Sequence, residues 1–128
     1  MKPSKLLLDS HVLLWHFKDP GRISTEARGM ILSATAVFVS AASTWEIYIK
    51  QLSGKLPPLP EDLDVAIVRA GFLELPITAA HTKGIQSLQM EHKDPFDQLL
   101  LSQAQAEDML LLTADEKLLG KQNTFDVR

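Results

Sequence analysis

Short apolar runs alternate with segments of helical period along this chain, and no other feature narrows the fold as much. The runs are Lys5–Asp9 (KLLLD), Ala36–Ser40 (AVFVS), Phe72–Leu75 (FLEL) and Met109–Thr113 (MLLLT). Their length and their content of Leu, Val and Phe suit strands covered on both sides. Parallel neighbours need a crossover, and a helix is the usual one. The alternation therefore predicts an α/β fold, with a central, mainly parallel sheet of four to five strands and helices on both faces.

The intervening segments carry their own punctuation. His11–Phe17 reads as a helix broken by Asp19-Pro20-Gly21, and Ser24 as the N-cap of a helix over Thr25–Ser33. In Ala42–Leu52, the residues Trp45, Tyr48, Ile49 and Leu52 recur at helical spacing, which predicts a core-facing stripe ending near Gly54. A loop at Pro57–Pro60 precedes an amphipathic helix over Glu61–Ala70, with Leu63, Ala66, Ile67 and Ala70 on one face. Thr78 should cap a helix to about Ser87, and Asp94 one over Pro95–Glu107 with proline at its first position. Ala114–Leu119 is expected to be a short helix and Phe125–Val127 a small edge strand. With 128 residues and no internal repeat, residues 1–128 read as a single domain.

Composition removes several classes of function. There are no cysteines, so thiolate ligands and disulfides are unavailable. The longest apolar runs are far below the ~18–20 residues that span a bilayer, so no membrane association is expected. The first residues make a poor signal peptide, because Asp9 and His11 interrupt the apolar stretch. A cytoplasmic location is the simplest expectation. A net charge of −3 argues against a protein that holds nucleic acid by a broad basic face. It leaves room for an enzyme that touches a few phosphates. No G-x-G-x-x-G or P-loop pattern occurs, so no nucleotide cofactor is expected, and the histidines lack zinc-type spacing.

What remains is acidic. Asp9 ends the first strand, Asp115 lies just past the fourth, Glu46 sits in the second turn after the second strand, and Asp97 in the first turn of the helix that feeds the fourth. In open parallel sheets the carboxyl ends of the strands form the ligand edge. A helix returning to the start of a strand must itself begin at that edge, so all four acids belong to it. Each has an ordinary alternative: Asp9 as a helix cap, Glu46 as the partner of Lys50, Asp97 as a dipole-favoured residue, Asp115 as a cap or partner of Lys117. Gathered together, carboxylates repel unless a cation sits among them. An oxygen-only set suits Mg²⁺, or Mn²⁺, which can activate water for phosphodiester hydrolysis. On this reading Asp9 and Asp97 are the main ligands, Glu46 binds directly or through water, Asp115 completes a weaker site, and Thr113 steadies Asp115 or a water.

The segments LLLDSHVLLW, SAASTWE (Ser40–Glu46), HKDPFDQLLLSQA and LLLTADEKL together cover nearly the whole chain. In them the chain resembles the PIN-domain ribonucleases, and among those the VapC toxins of toxin–antitoxin pairs. DPFD-x-LL-x-x-QA is the most specific element. The resemblance implies a three-layer α/β/α sandwich, a Mg²⁺-dependent endoribonuclease, an RNA substrate, inhibition by a cognate antitoxin, and an acidic quartet at Asp9, Glu46, Asp97 and Asp115. Gln98 departs from the pattern, since relatives often carry Arg after DPFD.

Further expectations concern contacts. Arg22, Lys50, Lys55 and Lys93 are candidate phosphate contacts. The helix over His11–Phe17 is apolar on more than one face, which a homodimer, an antitoxin peptide or an overlying loop such as Pro57–Pro60 would cover. Two other functions share the fold: a housekeeping RNA-processing nuclease, and a binding protein without catalysis. A phosphate-accepting signalling module fits poorly, because the third apolar run ends in Leu75-Pro76 rather than in an acid.

Overall fold

The structure is a computed structural model that describes residues 5–88, 90–91 and 94–128. Five strands form one sheet in the order β3-β2-β1-β4-β5: β1 (Lys5–Leu8), β2 (Ala36–Ser40), β3 (Leu73–Leu75), β4 (Leu110–Thr113) and β5 (Thr124–Asp126). Every pairing is parallel. The helices are α1 (Ser10–Lys18), α2 (Thr25–Ser33), α3 (Ala41–Leu52), α4 (Leu63–Arg69), α5 (Ala79–Gly84) and α6 (Pro95–Ala106).

Side-chain alternation on β1 divides the core in two. Leu6 and Leu8 join Val12, Leu13, Ile31, Ile47 and Ile67 on one side of the sheet. Leu7 joins Leu100, Leu101, Ala104 and Leu111 on the other. The result is a three-layer α/β/α sandwich. The caps are those the sequence advertises: Ser24 accepts from Ala27 N–H, Thr78 and His81 form a reciprocal capping box, and Asp94 accepts from the amides of Phe96 and Asp97.

Three local expectations need correction. Residues 114–119 are a turn, not a helix. The Asp115 carboxylate accepts from Lys117 N–H at 2.9 Å, its carbonyl takes the amides of Leu118 and Leu119, and Gly120 at φ 90° then turns the chain toward β5. The segment after Thr78 tightens into a 3-10 turn at Ile85–Ser87. A Cβ on Gly84 would collide with Ser102 Oγ of α6, so α5 and α6 approach as closely as a glycine permits.

The third correction concerns α3. Its large apolar residues do share a face, but that face is turned outward, with Leu52 90% and Trp45 60% exposed. The inward stripe is Ala42, Ser43, Glu46 and Ile47. Small side chains there let α3 settle across the carboxyl edge of the sheet, in contact with both α1 and α6. Leu56 and Leu59 pack on the same core cluster as Leu14, Trp15 and Phe17. Phe17, Leu59 and Pro60 also line one cleft, so the Pro57–Pro60 loop lies beside the end of α1. Among the described residues, no helix is long and apolar enough to cross a membrane.

Candidate metal centre

The register of the sheet assembles the site. Leu8 aligns with Val39 on β2 and with Leu112 on β4. Asp9 N–H donates to Leu112 O at 3.0 Å, which sets Asp9 beside Thr113. Asp9 is only 4% exposed. It occupies the N-cap position of α1, yet its side chain makes no cap hydrogen bond. Instead its Oδ2 accepts from Thr113 Oγ1 at 2.6 Å. The same hydroxyl accepts from Asp115 N–H at 3.0 Å, so its own proton is directed to Asp9. Thr113 therefore steadies Asp9 as well as the backbone of Asp115.

Burial pushes the Asp9 carboxyl above the usual range. The Thr113 hydroxyl, the nearby His11 and the Ser10 amide pull it back, while the charge of Glu46 pushes it further up. Glu46, 9% exposed, is held at both oxygens: Ser10 Oγ donates to Oε1 at 2.7 Å, and Lys50 Nζ lies 3.2 Å from Oε2. The Lys50 pairing expected of an i,i+4 neighbour is thus real, and it coexists with a place at the edge. Asp97 is 8% exposed in the first turn of α6, and it is Asp94 that caps that helix. The rings of Trp45 and Phe96, 5.3 Å apart and edge-on, join α3 to the start of α6 one residue from Glu46 and Asp97 respectively.

Deeper contacts hold these elements in register. Gln103, fully buried on α6, accepts from Ser40 Oγ at 2.6 Å and reaches Pro76 O and His81 Nδ1 at 3.3 Å. The end of β2, and with it the start of α3, is thereby tied to α6. A cleft of about 400 Å³ opens above β1 and β4, lined by Asp9, His11, Trp15, Arg22, Ala114 and Asp115.

The other predicted contacts divide. Arg22 lines this cleft. Lys55 lies just past the C-terminal end of α3, after Gly54. Lys93 lies outside the described residues. The sequence reading missed Ser10 as the donor to Glu46; its position directly after Asp9, in the first turn of α1, was the available signal.

The PIN domain family model matches residues 6–121. The chain belongs to the PIN-domain family. PIN domains are nucleases that generally use divalent metals. Solved structures share the fold. A toxin–antitoxin complex from Klebsiella pneumoniae aligns with TM-score 0.67 at 16% identity, over 96% of this chain and 98% of that one. VapBC2 from Rickettsia felis, bound to a DNA fragment from their promoter, aligns with TM-score 0.63 at 14% identity, over 95% and 99%. No curated protein matches the chain.

Does this PIN domain suit a divalent ion? Among the described residues no group of three or more carboxylates or imidazoles stands close enough to hold one as the side chains lie. The donor chemistry nevertheless fits. Asp9 is a buried anion with no cationic side chain hydrogen-bonded to it among the described residues, and the carboxylate of Glu46 raises its cost. Among the described residues, the one buried side-chain polar atom without a hydrogen-bond partner is Ser43 Oγ, one turn before Glu46 on the inward stripe of α3. An oxygen-only set of this kind, with room for waters, is what Mg²⁺ or Mn²⁺ prefers.

Proposed function

We propose that this PIN domain is a Mg²⁺-dependent endoribonuclease acting in the cytoplasm as the toxin of a toxin–antitoxin pair. The observation that carries the reading is the carboxyl edge itself. Asp9 is buried there with no lysine or arginine paired to it among the described residues, shares a cleft with Asp115, and is electrostatically linked to Glu46. Asp9 and Asp97 would be the principal ligands. Glu46, whose two oxygens already engage Ser10 and Lys50, would act through a water. Asp115, which lines the same cleft, would complete the set. Bound Mg²⁺ supplies Lewis acidity and a water nucleophile at neutral pH. The residues supply position: Thr113 orients Asp9, Ser10 orients Glu46, and the Gln103 contacts fix α3 against α6.

The antitoxin is supported by the outward face of α3. Between α3 and α4 lies a cleft of about 500 Å³ with apolar walls that include Tyr48, Val68 and Phe72 and a rim of Asp62, Asp64 and Glu74. Leu52 and Val68 beside it are 90% and 75% exposed. Such a surface suits an antitoxin segment with apolar anchors flanked by lysine or arginine. A second copy of the chain is the competing occupant, and light scattering with and without antitoxin separates the two.

The test of the enzyme is cleavage of total cellular RNA by wild type and Asp9→Asn, prepared identically, with Mg²⁺ or Mn²⁺ and with chelator. Discrete products from wild type alone, lost in chelator, are expected. Equal cleavage by both proteins would refute the assignment, and no cleavage by either would point to a PIN fold used for binding.

A further inference from the structure

The cleft that holds Asp9 and Asp115 is also lined by residues that the metal chemistry does not use. Among them, the Arg22 guanidinium stacks over the indole of Trp15, its carbon 4.8 Å from the ring centroid. Trp15 is half-buried against the core, and its other neighbour in this cleft is His11, one turn earlier on α1, with ring centroids 6.4 Å apart. Imidazole, indole and guanidinium therefore follow one another in the same cleft as the acids.

Arg22 is placed unlike the other arginines. Arg69 pairs with Glu61, Arg128 with Asp126 and Glu116, and Arg28 bonds Thr25. Among the described residues no carboxylate pairs with Arg22, although two line the same cleft. Stacking engages the face of a guanidinium and leaves its in-plane N–H donors available, in the fork that matches a phosphate. Trp15 thus removes the conformational freedom of an exposed arginine while leaving its edge open. A cleft rich in carboxylates repels a phosphodiester. A fixed cation in the same cleft is the local remedy in a chain whose net charge is −3.

We infer that Trp15 and Arg22 form a clamp for the phosphate next to the scissile one, on a single-stranded RNA whose unpaired nucleotide enters this cleft. Arg22 is the binding residue and Trp15 its positioning residue. The cleft's 400 Å³ lies at the small end of ligand sites, enough for a nucleotide and not for a duplex. An unstacked base beside the bound phosphate would meet the exposed His11 ring, in the manner of aromatic contacts to single strands. This rests on the ribonuclease reading and adds where the strand lies.

The experiment uses the full chain and a short fluorescent single-stranded RNA, with binding followed by anisotropy in chelator, so that affinity is read without turnover. Arg22→Ala should weaken binding about tenfold and reduce the slope of log K against log salt by about 0.7, one contact's worth for a single strand. Trp15→Ala should reproduce that loss and add nothing to Arg22→Ala in the double variant. Trp15→Phe should restore most of the affinity, and Arg22→Lys should restore little, because lysine neither stacks nor forks. In cleavage with Mg²⁺, the loss should fall on KM more than on kcat. An unchanged salt slope in Arg22→Ala, additive losses in the double variant, or tighter binding of a duplex than of a single strand would each overturn the clamp. Wild type that cleaves RNA while Arg22→Ala behaves identically refutes the clamp alone. Wild type that neither binds nor cleaves RNA refutes both readings.

Discussion

Asp9→Asn should kill the enzyme and stabilise the protein. The wild-type carboxylate is buried to 4% exposure, with one hydroxyl donor at 2.6 Å and the charge of Glu46 nearby. Taking one ion out of water still costs several kcal/mol after relaxation, and a neutral group of the same shape avoids most of that cost. Asparagine keeps an oxygen for Thr113 but loses the charge assistance of that bond, about 1 kcal/mol. The balance is a gain of about 1–2 kcal/mol at pH 7 without metal, or roughly 3–8 °C in Tm for a domain of this size.

The pH dependence carries the same sign. Burial raises the Asp9 pKa in the folded state above its unfolded value. The stability linked to its protonation is therefore fully present below the unfolded pKa and is lost as pH rises through the folded one. The advantage of Asp9→Asn should be largest at neutral pH and shrink in acid, beginning above the ordinary carboxylate range. Mg²⁺ should reverse the ranking, since a ligand at 100 times its Kd adds about 2.7 kcal/mol to a protein that binds it. Thermal unfolding of both proteins from pH 4 to 8, in chelator and in Mg²⁺, reads all three effects. An Asn variant less stable than wild type at pH 7 in chelator would refute the account of Asp9 as an uncompensated buried anion.

Thr113→Val removes the hydroxyl shared by Asp9 and the Asp115 amide; Mg²⁺ affinity or kcat/KM should fall about 10–100-fold, measured by calorimetry and by cleavage. Gly84→Ala drives a methyl into Ser102 of α6 and should cost about 1–3 kcal/mol in denaturant unfolding, with the folded protein still cleaving RNA. Leu52→Lys on the exposed side of α3 should change stability by less than about 0.5 kcal/mol and leave cleavage intact, while weakening antitoxin binding tenfold or more in a titration.

The strands were legible because composition and length agree at each one: KLLL, AVFVS and LLLT suit no other element, and their parallel order follows from the helices between them. Asp9 was legible for the same reason, as a charge directly after three buried leucines. Residues 114–119 were not. ADEKLL has good helix formers, but Asp115 spends its carboxylate on a local amide and the chain needs only one turn to reach β5. Gln103 was invisible in another way. A glutamine in a helix reads as a solvated position, and only the meeting of α6 with the ends of β2 and α5 makes it the link among Ser40, Pro76 and His81.

The orientation of α3 shows where periodicity stops and chemistry takes over. A hydrophobic stripe says which residues share a face, and by default that face goes inside. Here the helix crosses the carboxyl edge of a sheet, where the inward face must meet Asp9 and the start of α1. Ser43 and Glu46 are accordingly turned in, at a desolvation cost, and Trp45, Tyr48, Ile49 and Leu52 are left partly or largely exposed. Both faces are thus worse off than in a helix that serves folding alone. On the proposed function the two deficits have different remedies: a cation for the inner face, and an apolar partner for the outer one. Because α3 is one rigid element, its position over the proposed metal site and the surface it offers a partner are linked. A partner seated on Tyr48 and Leu52 therefore bears on the helix that carries Glu46, and control of the nuclease need not require entry into its cleft.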